Sequence, residues 1–313
     1  MVLSDYKNHS FSSIPQSKPS NPHISNITYH STMPSRRLNS FRLLSFDIYG
    51  TLIDWETGVL RALVPLTSRL PNSHPLKANS VALNTTYTAH ERTIQATQPS
   101  LAYYRILKAA YESLAKELNA LPEPIDGKSA EQLLDEESLA FAASIGSWPA
   151  FKDTVEAMHR LKNRGFKLVP LSNVDRESFS KTLRGPLASL NQYGFAGAAG
   201  SMFFDAAYTA QDIGSYKPDL RNFEYLIAHA KEKFGVEKKD ILHVAQSIHY
   251  DHEPAQKIGL NSVWISRGEE NISPMSGREE GYVNIFKIPF GWQFKTLREL
   301  ADAVDAELPG SSA

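Results

Sequence analysis

The chain of 313 residues contains no cysteine. Disulfides, thiolate nucleophiles and cysteine-ligated zinc are excluded together, and a reducing, cytoplasmic setting fits that absence. Net charge is nearly absent too. The 33 Lys and Arg residues against 34 Asp and Glu leave -1 at pH 7, so there is no electrostatic reason to expect nucleic acid or an anionic membrane as partner. No apolar run approaches the roughly 18 residues that a membrane span needs. A GxxxxGK loop, a GxGxxG following a strand and internal repeats are all missing, so nucleotide cofactors are not indicated.

What remains is an ordinary globular composition, 42% apolar and 21% charged, on a chain long enough for two domains or for one core carrying an insertion. The first forty or so residues are rich in Ser, Asn, Pro and His and lack periodicity. Residues 1–40 are expected to form a disordered extension. Their few acidic residues, with Arg36 and Arg37, would also suit a weak transit peptide, although no amphipathic helix is evident. Met33 is an alternative start, since the first strand lies wholly after it.

The run Leu43, Leu44, Ser45, Phe46 reads as a short buried strand ending at Asp47. From 57 to 147 the pattern turns helical: VLRALVPLTSRL, NSVALNTTYTAHERTIQA, LAYYRILKAAYESLAKEL and AEQLLDEESLAFAASI each space apolar residues by three and four. After Trp148 the text alternates. TVEAMHRLKNRG is a helix stopped by Gly165, FKLVPLSN a strand, RNFEYLIAHAKEKFG a helix, ILHVAQS a strand, and EPAQKIGL leads into the strand SVWISRG. Such alternation predicts an α/β fold, a doubly wound, Rossmann-like parallel sheet. Its core would span 41–56 and 148–308, with a helical cap over 57–147 inserted after the first strand. The tail after Pro309 is unpatterned.

Polar residues gather at the predicted strand ends. Asp47, Tyr49 and Thr51 follow the first strand, Ser172 and Asn173 the second, and Gln246 and Ser247 the ILHVAQS strand, with Asp251 a few residues on. Lys217 stands directly before Pro218 and a helix. Singly, each reads as a turn, cap or surface residue. Converging on the crevice of an open sheet, they supply a carboxylate, a hydroxyl and amide pair, an ammonium and a second carboxylate.

DIYGT, PLSN, SYKPD and HYDHEPA, in this order and with a helical insertion after the first, resemble the four motifs of the haloacid dehalogenase superfamily. The DxYGTL form of the first is similar to the type II 2-haloacid dehalogenases. The resemblance covers about 41 to 270. It implies that Asp47 attacks the substrate to form an ester, that Lys217 lowers the Asp47 pKa, and that Ser172 and Asn173 hold the substrate carboxylate or a phosphoryl oxygen. It further implies that Thr51 braces the first loop, that Asp251 and Asn173 orient the hydrolytic water, and that Ser247 lies on the substrate side of the fourth motif.

Tyr49 occupies the position where phosphatases of this superfamily carry a second Asp as general acid. An ordinary phenol, with a pKa near 10, is a poor substitute. A halide needs no proton, so a small anionic 2-haloalkanoic acid is the expected substrate, turned over without cofactor. Gln246 replaces a frequent acidic residue of the fourth motif, and His249 and His252 are read as cap and surface residues, so metal is left out. The family's halide-holding arginine falls on Arg92 or Arg105 in the cap. Tyr103, Tyr104, Trp148 and Trp264 either line the pocket or, by default, fill the core. A Mg²⁺-dependent phosphatase acting on a small phosphorylated metabolite remains the alternative, as does a partner-binding protein serving a specialised pathway. An amphipathic cap helix leaves a homodimer open.

Overall fold

Four continuous apolar stretches form the centre of the sheet: β1 (Leu43–Phe46), β2 (Lys167–Ser172), β4 (Ile241–Ala245) and β5 (Asn261–Ile265). Every residue of β1 and β4 is buried, the pattern of parallel strands covered on both faces rather than of a half-wet sheet. In the computed structural model, which describes residues 36–191, 203–267 and 290–307, they are joined by β3 (Tyr208–Thr209) and β6 (Trp292–Phe294). The sheet order is β3-β2-β1-β4-β5-β6, parallel at every pairing. β1 is central: Leu43 lies opposite both Lys167 and Ile241. The doubly wound sheet is therefore present, and its switch point falls beside β1, where the strand order reverses and ligands bind.

The helical block after β1 comprises α1 (Trp55–Ala62), α2 (Val64–Ser68), α3 (Pro75–Ala78), α4 (Ser80–Thr97), α5 (Tyr103–Glu117) and α6 (Ala130–Ala143). The stretch expected as one helix over 59–70 breaks at Leu63, because Pro65 lacks the N–H that a continuing helix would use. α6 opens on a capping box between Ser129 and Gln132. Within the block, Phe141 packs between Tyr87 and Tyr111, with centroids 5.3 and 5.1 Å away. Arg69 forks onto both oxygens of Glu137 at 2.8 Å.

Six further helices clothe the sheet: α7 (Thr154–Asn163), α8 (Arg176–Arg184), α9 (Ala210–Ile213), α10 (Arg221–Phe234), α11 (Glu253–Lys257) and α12 (Leu297–Ala306). Strand periodicity sorts their partners. Leu43, Val169 and Leu171 meet Phe223, Leu226 and Ala230 of α10, while Leu44, Phe46 and Leu168 belong to the larger cluster with α7 and α12. α10 ends at Gly235, whose φ of 61° is the left-handed stop that a Cβ would disfavour.

Gly58 of α1 lies directly against Trp148, since a Cβ there would lie 2.3 Å from Trp148 Cγ. Among the described residues no helix is long and apolar enough to cross a membrane.

Two expectations need correction. Residues 36–40, assigned to the extension, are packed: Leu38 is buried and Arg36 Nη2 pairs with Asp240 at 2.7 Å. Residues 248–252, whose two histidines are expected at cap and surface positions, form a π-helical turn with Tyr250, Asp251 and His252 buried. The rest of the extension, Met33 and the tail after Pro309 lie outside the described residues.

Candidate active site

Asp47 follows the last residue of β1, where its N–H still donates to Val244 O of the neighbouring strand at 3.1 Å. The strand stops there because Gly50, with a φ of 98°, turns the chain back so that its N–H reaches Ile53 O at 2.7 Å. The Asp47 carboxylate is then held on both sides. Lys217 Nζ donates to Oδ1 at 2.8 Å and Thr51 Oγ1 to Oδ2 at 2.8 Å. Thr51 Oγ1 in turn accepts from Gln246 N at 3.0 Å, tying the loop to the end of β4.

Lys217 is 2% exposed. Its ammonium also donates to Asp251 Oδ1 at 2.7 Å and to Leu171 O at 3.0 Å, which occupies all its hydrogens. Asn173 fixes the backbone of this lysine: Nδ2 donates to Lys217 O at 2.9 Å and Oδ1 accepts from Lys217 N at 2.7 Å. Its amide therefore positions Lys217, and that use competes with the anticipated hold on substrate or water.

Behind Asp251 stands a residue that the sequence reading passed over. His243, at the centre of β4, meets Asp251 Oδ1 through Nε2 at 2.9 Å and Ser45 Oγ through Nδ1. The available signal was a lone histidine inside the apolar run ILHVA. A buried imidazole needs partners on both nitrogens, and a carboxylate on one of them leaves that nitrogen as donor.

These contacts set the charges. Burial, partly opposed by Lys217 and reinforced by Asp251, leaves the Asp47 carboxyl above the usual carboxylate range. The expectation that Lys217 lowers this pKa is right for the pair but not for the sum. Burial also works against Asp251, yet Lys217 and His243 outweigh it and hold that carboxyl at about 2. Lys217 itself is raised, because Asp251 and Asp47 outweigh its burial.

A cavity with about 50 Å³ of free space opens over Asp47. Its core side is formed by Asp47, Ser172, Asn173, Lys217, Tyr250 and Asp251, its cap side by Thr88, Glu91, Arg92, Gln95 and Tyr103, and its aromatic walls by Tyr49, Trp55 and Trp148. Ser172 Oγ and Asp251 Oδ2 are buried without a hydrogen-bond partner. An unpaired hydroxyl and an unpaired carboxylate oxygen in one cavity are groups awaiting a ligand or water.

Tyr49 lies on the wall, but its hydroxyl is engaged with Thr182 Oγ1 at 2.6 Å. Burial drives its pKa far above the ordinary phenol value. It is no proton donor.

Of the two arginines, Arg92 reaches the cavity and hydrogen-bonds Tyr250. Arg105 does not: it is exposed, outside the cavity, and its Nε donates to the Tyr104 hydroxyl at 2.8 Å. Ser247 is likewise displaced from the substrate side, because it caps the π-helical turn by accepting from Tyr250 N at 3.1 Å. Trp264 is a core residue whose indole N–H donates to Gln246 O at 2.9 Å. His252 is buried against Ser262 Oγ and Ala245 O, both at 3.0 Å, rather than on the surface. Trp148 and Tyr103 do line the cavity, while Tyr104 is exposed.

The second omission is Glu91, the residue before Arg92 in α4. It faces the cavity, where Oε1 accepts from Tyr103 Oη at 3.0 Å and from Gln95 Nε2 at 3.1 Å.

Residues 41–259 match the profile described as haloacid dehalogenase-like hydrolase. The chain belongs to that family. A curated relative, (S)-2-haloacid dehalogenase 4A of Burkholderia cepacia, is 23% identical over 230 residues, 74% of this chain and 85% of its own. Among solved structures, the L-2-haloacid dehalogenase of Xanthobacter autotrophicus with chloropropionic acid covalently bound superposes with a TM-score of 0.60 at 15% identity, covering 86% of this chain and 100% of its own. YfnB of Bacillus subtilis, solved bound to magnesium, does so with a TM-score of 0.59 at 18% identity over 86% and 100%. At these identities the structural likenesses establish the fold.

Magnesium occurs among these neighbours, so its fit is a question of donors. Asp47 Oδ1 and Asp251 Oδ1 accept from one ammonium, Asp47 Oδ2 accepts from Thr51, and the Tyr49 hydroxyl is engaged with Thr182. Among the described residues no three of His, Asp and Glu come together as metal ligands. Mg²⁺ is commonly held by one or two carboxylates together with several waters; here three of the four carboxylate oxygens of Asp47 and Asp251 already accept from Lys217 or Thr51, and Asp251 Oδ2 is the one left unpaired.

Proposed function

We propose that the protein is a metal-independent hydrolase that displaces halide from a small 2-haloalkanoic acid, with Asp47 as nucleophile. The observation that carries this reading is the Asp47 carboxylate fixed between Lys217 and Thr51 at one end of a cavity that also presents the unpaired Ser172 hydroxyl. A carboxylate nucleophile must be ionised, aimed and screened from bulk water. Lys217 supports its ionisation, Thr51 fixes its rotamer, and Trp55, Trp148 and the cap exclude solvent.

Ser172 Oγ donates to the substrate carboxylate, which places C2 toward Asp47. Asp47 attacks C2 from the side opposite the halogen, the carbon–halogen bond breaks, and an aspartyl ester forms as halide departs toward Arg92. Water accepted by Asp251 Oδ2 then attacks the Asp47 carbonyl. The 2-hydroxy acid leaves and the carboxylate is restored, with inversion at C2 arising in the first step alone. Tyr49, unable to donate a proton, disfavours phosphate ester hydrolysis. The name of the curated relative and the acid bound in its structural neighbour support the same substrate class.

The test is turnover of (S)-2-chloropropionate and p-nitrophenyl phosphate by wild type and Asp47→Asn, with EDTA or added Mg²⁺. Chloride release that resists EDTA and vanishes in the variant is the expected result. Mg²⁺-dependent phosphate release would overturn the reading.

A further inference from the structure

We infer that Arg267, two residues past the end of β5 and outside the cavity, is a positioning residue for the displacement: its guanidinium holds the Thr51 backbone so that the Thr51 hydroxyl keeps Asp47 aimed. The inference rests on Asp47 as nucleophile and concerns a side chain that lines no wall of the active cavity.

Thr51 has no solvent contact, and it gives its one hydroxyl hydrogen to Asp47 Oδ2. The hydroxyl reaches that oxygen only while the Thr51 backbone keeps its place. The turn itself holds this backbone by a long hydrogen bond, from Thr51 N to Ile48 O at 3.3 Å. The stronger hold is on the carbonyl and comes from Arg267, which donates to Thr51 O from Nε at 3.1 Å and from Nη2 as well. Its remaining arm, Nη1, donates to Asp153 Oδ1 at 2.7 Å, and Asp153 Oδ2 accepts from Arg298 N of α12 at 3.1 Å. The guanidinium also lies 3.9 Å from the centre of the Phe151 ring. A planar group held by a carboxylate at one edge and a ring on one face has a single direction left for its other edge.

Two observations set this arrangement apart from an ordinary buried ion pair. An arginine that served Asp153 alone would meet both carboxylate oxygens with two parallel bonds; here one nitrogen does so, while two converge on a neutral carbonyl. The backbone is the second. Arg267 has a φ of 55°, in the left-handed region that favours glycine, and a long side chain held there marks a place where the surroundings dictate the conformation. The side chain is 4% exposed, and the charged groups facing it are Asp153 and Asp54. The main charges acting on Asp47 are Lys217 and Asp251, so Arg267 acts on the nucleophile through Thr51.

The test is chloride release from (S)-2-chloropropionate by two variants, each made in a wild-type and a Thr51→Val background. Arg267→Lys keeps the charge and loses the fork. Arg267→Met combined with Asp153→Asn strands no buried charge and keeps an acceptor for Arg298 N. With Thr51 present, kcat should fall about ten- to hundredfold at nearly constant KM, the scale for a misaimed reactant. The acid limb of kcat/KM should move to higher pH, because the Thr51 hydrogen bond lowers the Asp47 pKa. In Thr51→Val the same substitutions should cost less than about threefold. An equal loss in both backgrounds, or an acid limb that stays in place, would make Arg267 a stabilising residue alone and overturn the inference. Chloride release that survives Asp47→Asn is the separate result that would remove the nucleophile. An NMR titration of the Asp47 carboxyl carbon, assigned by its absence in Asp47→Asn, reads the link without turnover: its midpoint should lie higher in both Arg267 variants than in wild type, and identical midpoints would overturn the inference whatever the substrate.

Discussion

His243 Nε2 and Asp251 Oδ1 lie 2.9 Å apart inside the sheet, both essentially without solvent contact. This contact and Lys217 outweigh burial to hold the Asp251 carboxyl at about 2 against an ordinary 3.8. The pKa is depressed, so the stability it confers, on the order of 2 kcal/mol, is complete above pH 3.8 and lost as pH falls through about 2. His243→Ala removes one of the two groups holding the pKa down and so shifts that loss to higher pH. Melting temperatures of wild type and variant between about pH 2 and 6, roughly the window in which such a carboxylate titrates, should diverge on the acid side.

Ser172 Oγ is buried and unpaired. Removing a hydroxyl that has no partner in the free protein leaves nothing unsatisfied, so Ser172→Ala should melt at the wild-type temperature or slightly above. With substrate bound, a charge-assisted hydrogen bond of about 1.5–3 kcal/mol is lost. KM for a 2-haloacid should rise roughly ten- to hundredfold, with kcat changed much less. A matching fall in kcat at constant KM would assign the hydroxyl to the transition state instead.

The sheet was legible because β1, β2, β4 and β5 are continuous apolar runs, each closed by turn or polar residues. β3 was not, since Tyr208–Thr209 has two residues and no period to detect. Asp47, Lys217 and Asp251 could be placed from their motifs because the strand ends must converge. The parts of the site that depend on helix rotation could not. Glu91 and Arg92 are adjacent in sequence, and only the packing of α4 on α5 shows that both reach the cavity while Arg105 turns to solvent. The reach of Ser247 was misjudged for a related reason, because a π-helical turn places its hydroxyl on the Tyr250 N–H.

The two cap arginines separate cleanly by experiment. Arg92→Gln removes a cation from the cavity and should lower kcat/KM for 2-chloropropionate by about ten- to a thousandfold, the range for losing one charged transition-state contact. Arg105→Ala removes an exposed guanidinium stacked 5.6 Å from the Tyr104 ring centre and should leave turnover as in wild type. Side-by-side chloride release from the two variants checks this. Loss in Arg105→Ala with retention in Arg92→Gln would reverse the assignment of the leaving-group cation.

Asp47 carries its own cost in stability. Burial sets its pKa above the ordinary value, with Lys217 opposing and Asp251 reinforcing the rise. In the proposed mechanism the attacking form is the carboxylate, so the acid limb of kcat/KM should fall at a pH above 3.8. Because the folded pKa is raised, the contribution of Asp47 to stability is present below its unfolded pKa and lost as pH rises through the folded one. Asp47→Asn, which cannot ionise, should therefore be at least as stable as wild type at neutral pH while inactive, the pattern expected where a site is strained for function. Asp251→Asn supplies the control. It removes the negative charge that helps to raise the Asp47 pKa, so the acid limb should move to lower pH even as ester hydrolysis slows. A limb that stays in place in that variant would mean that the group titrating in turnover is not Asp47.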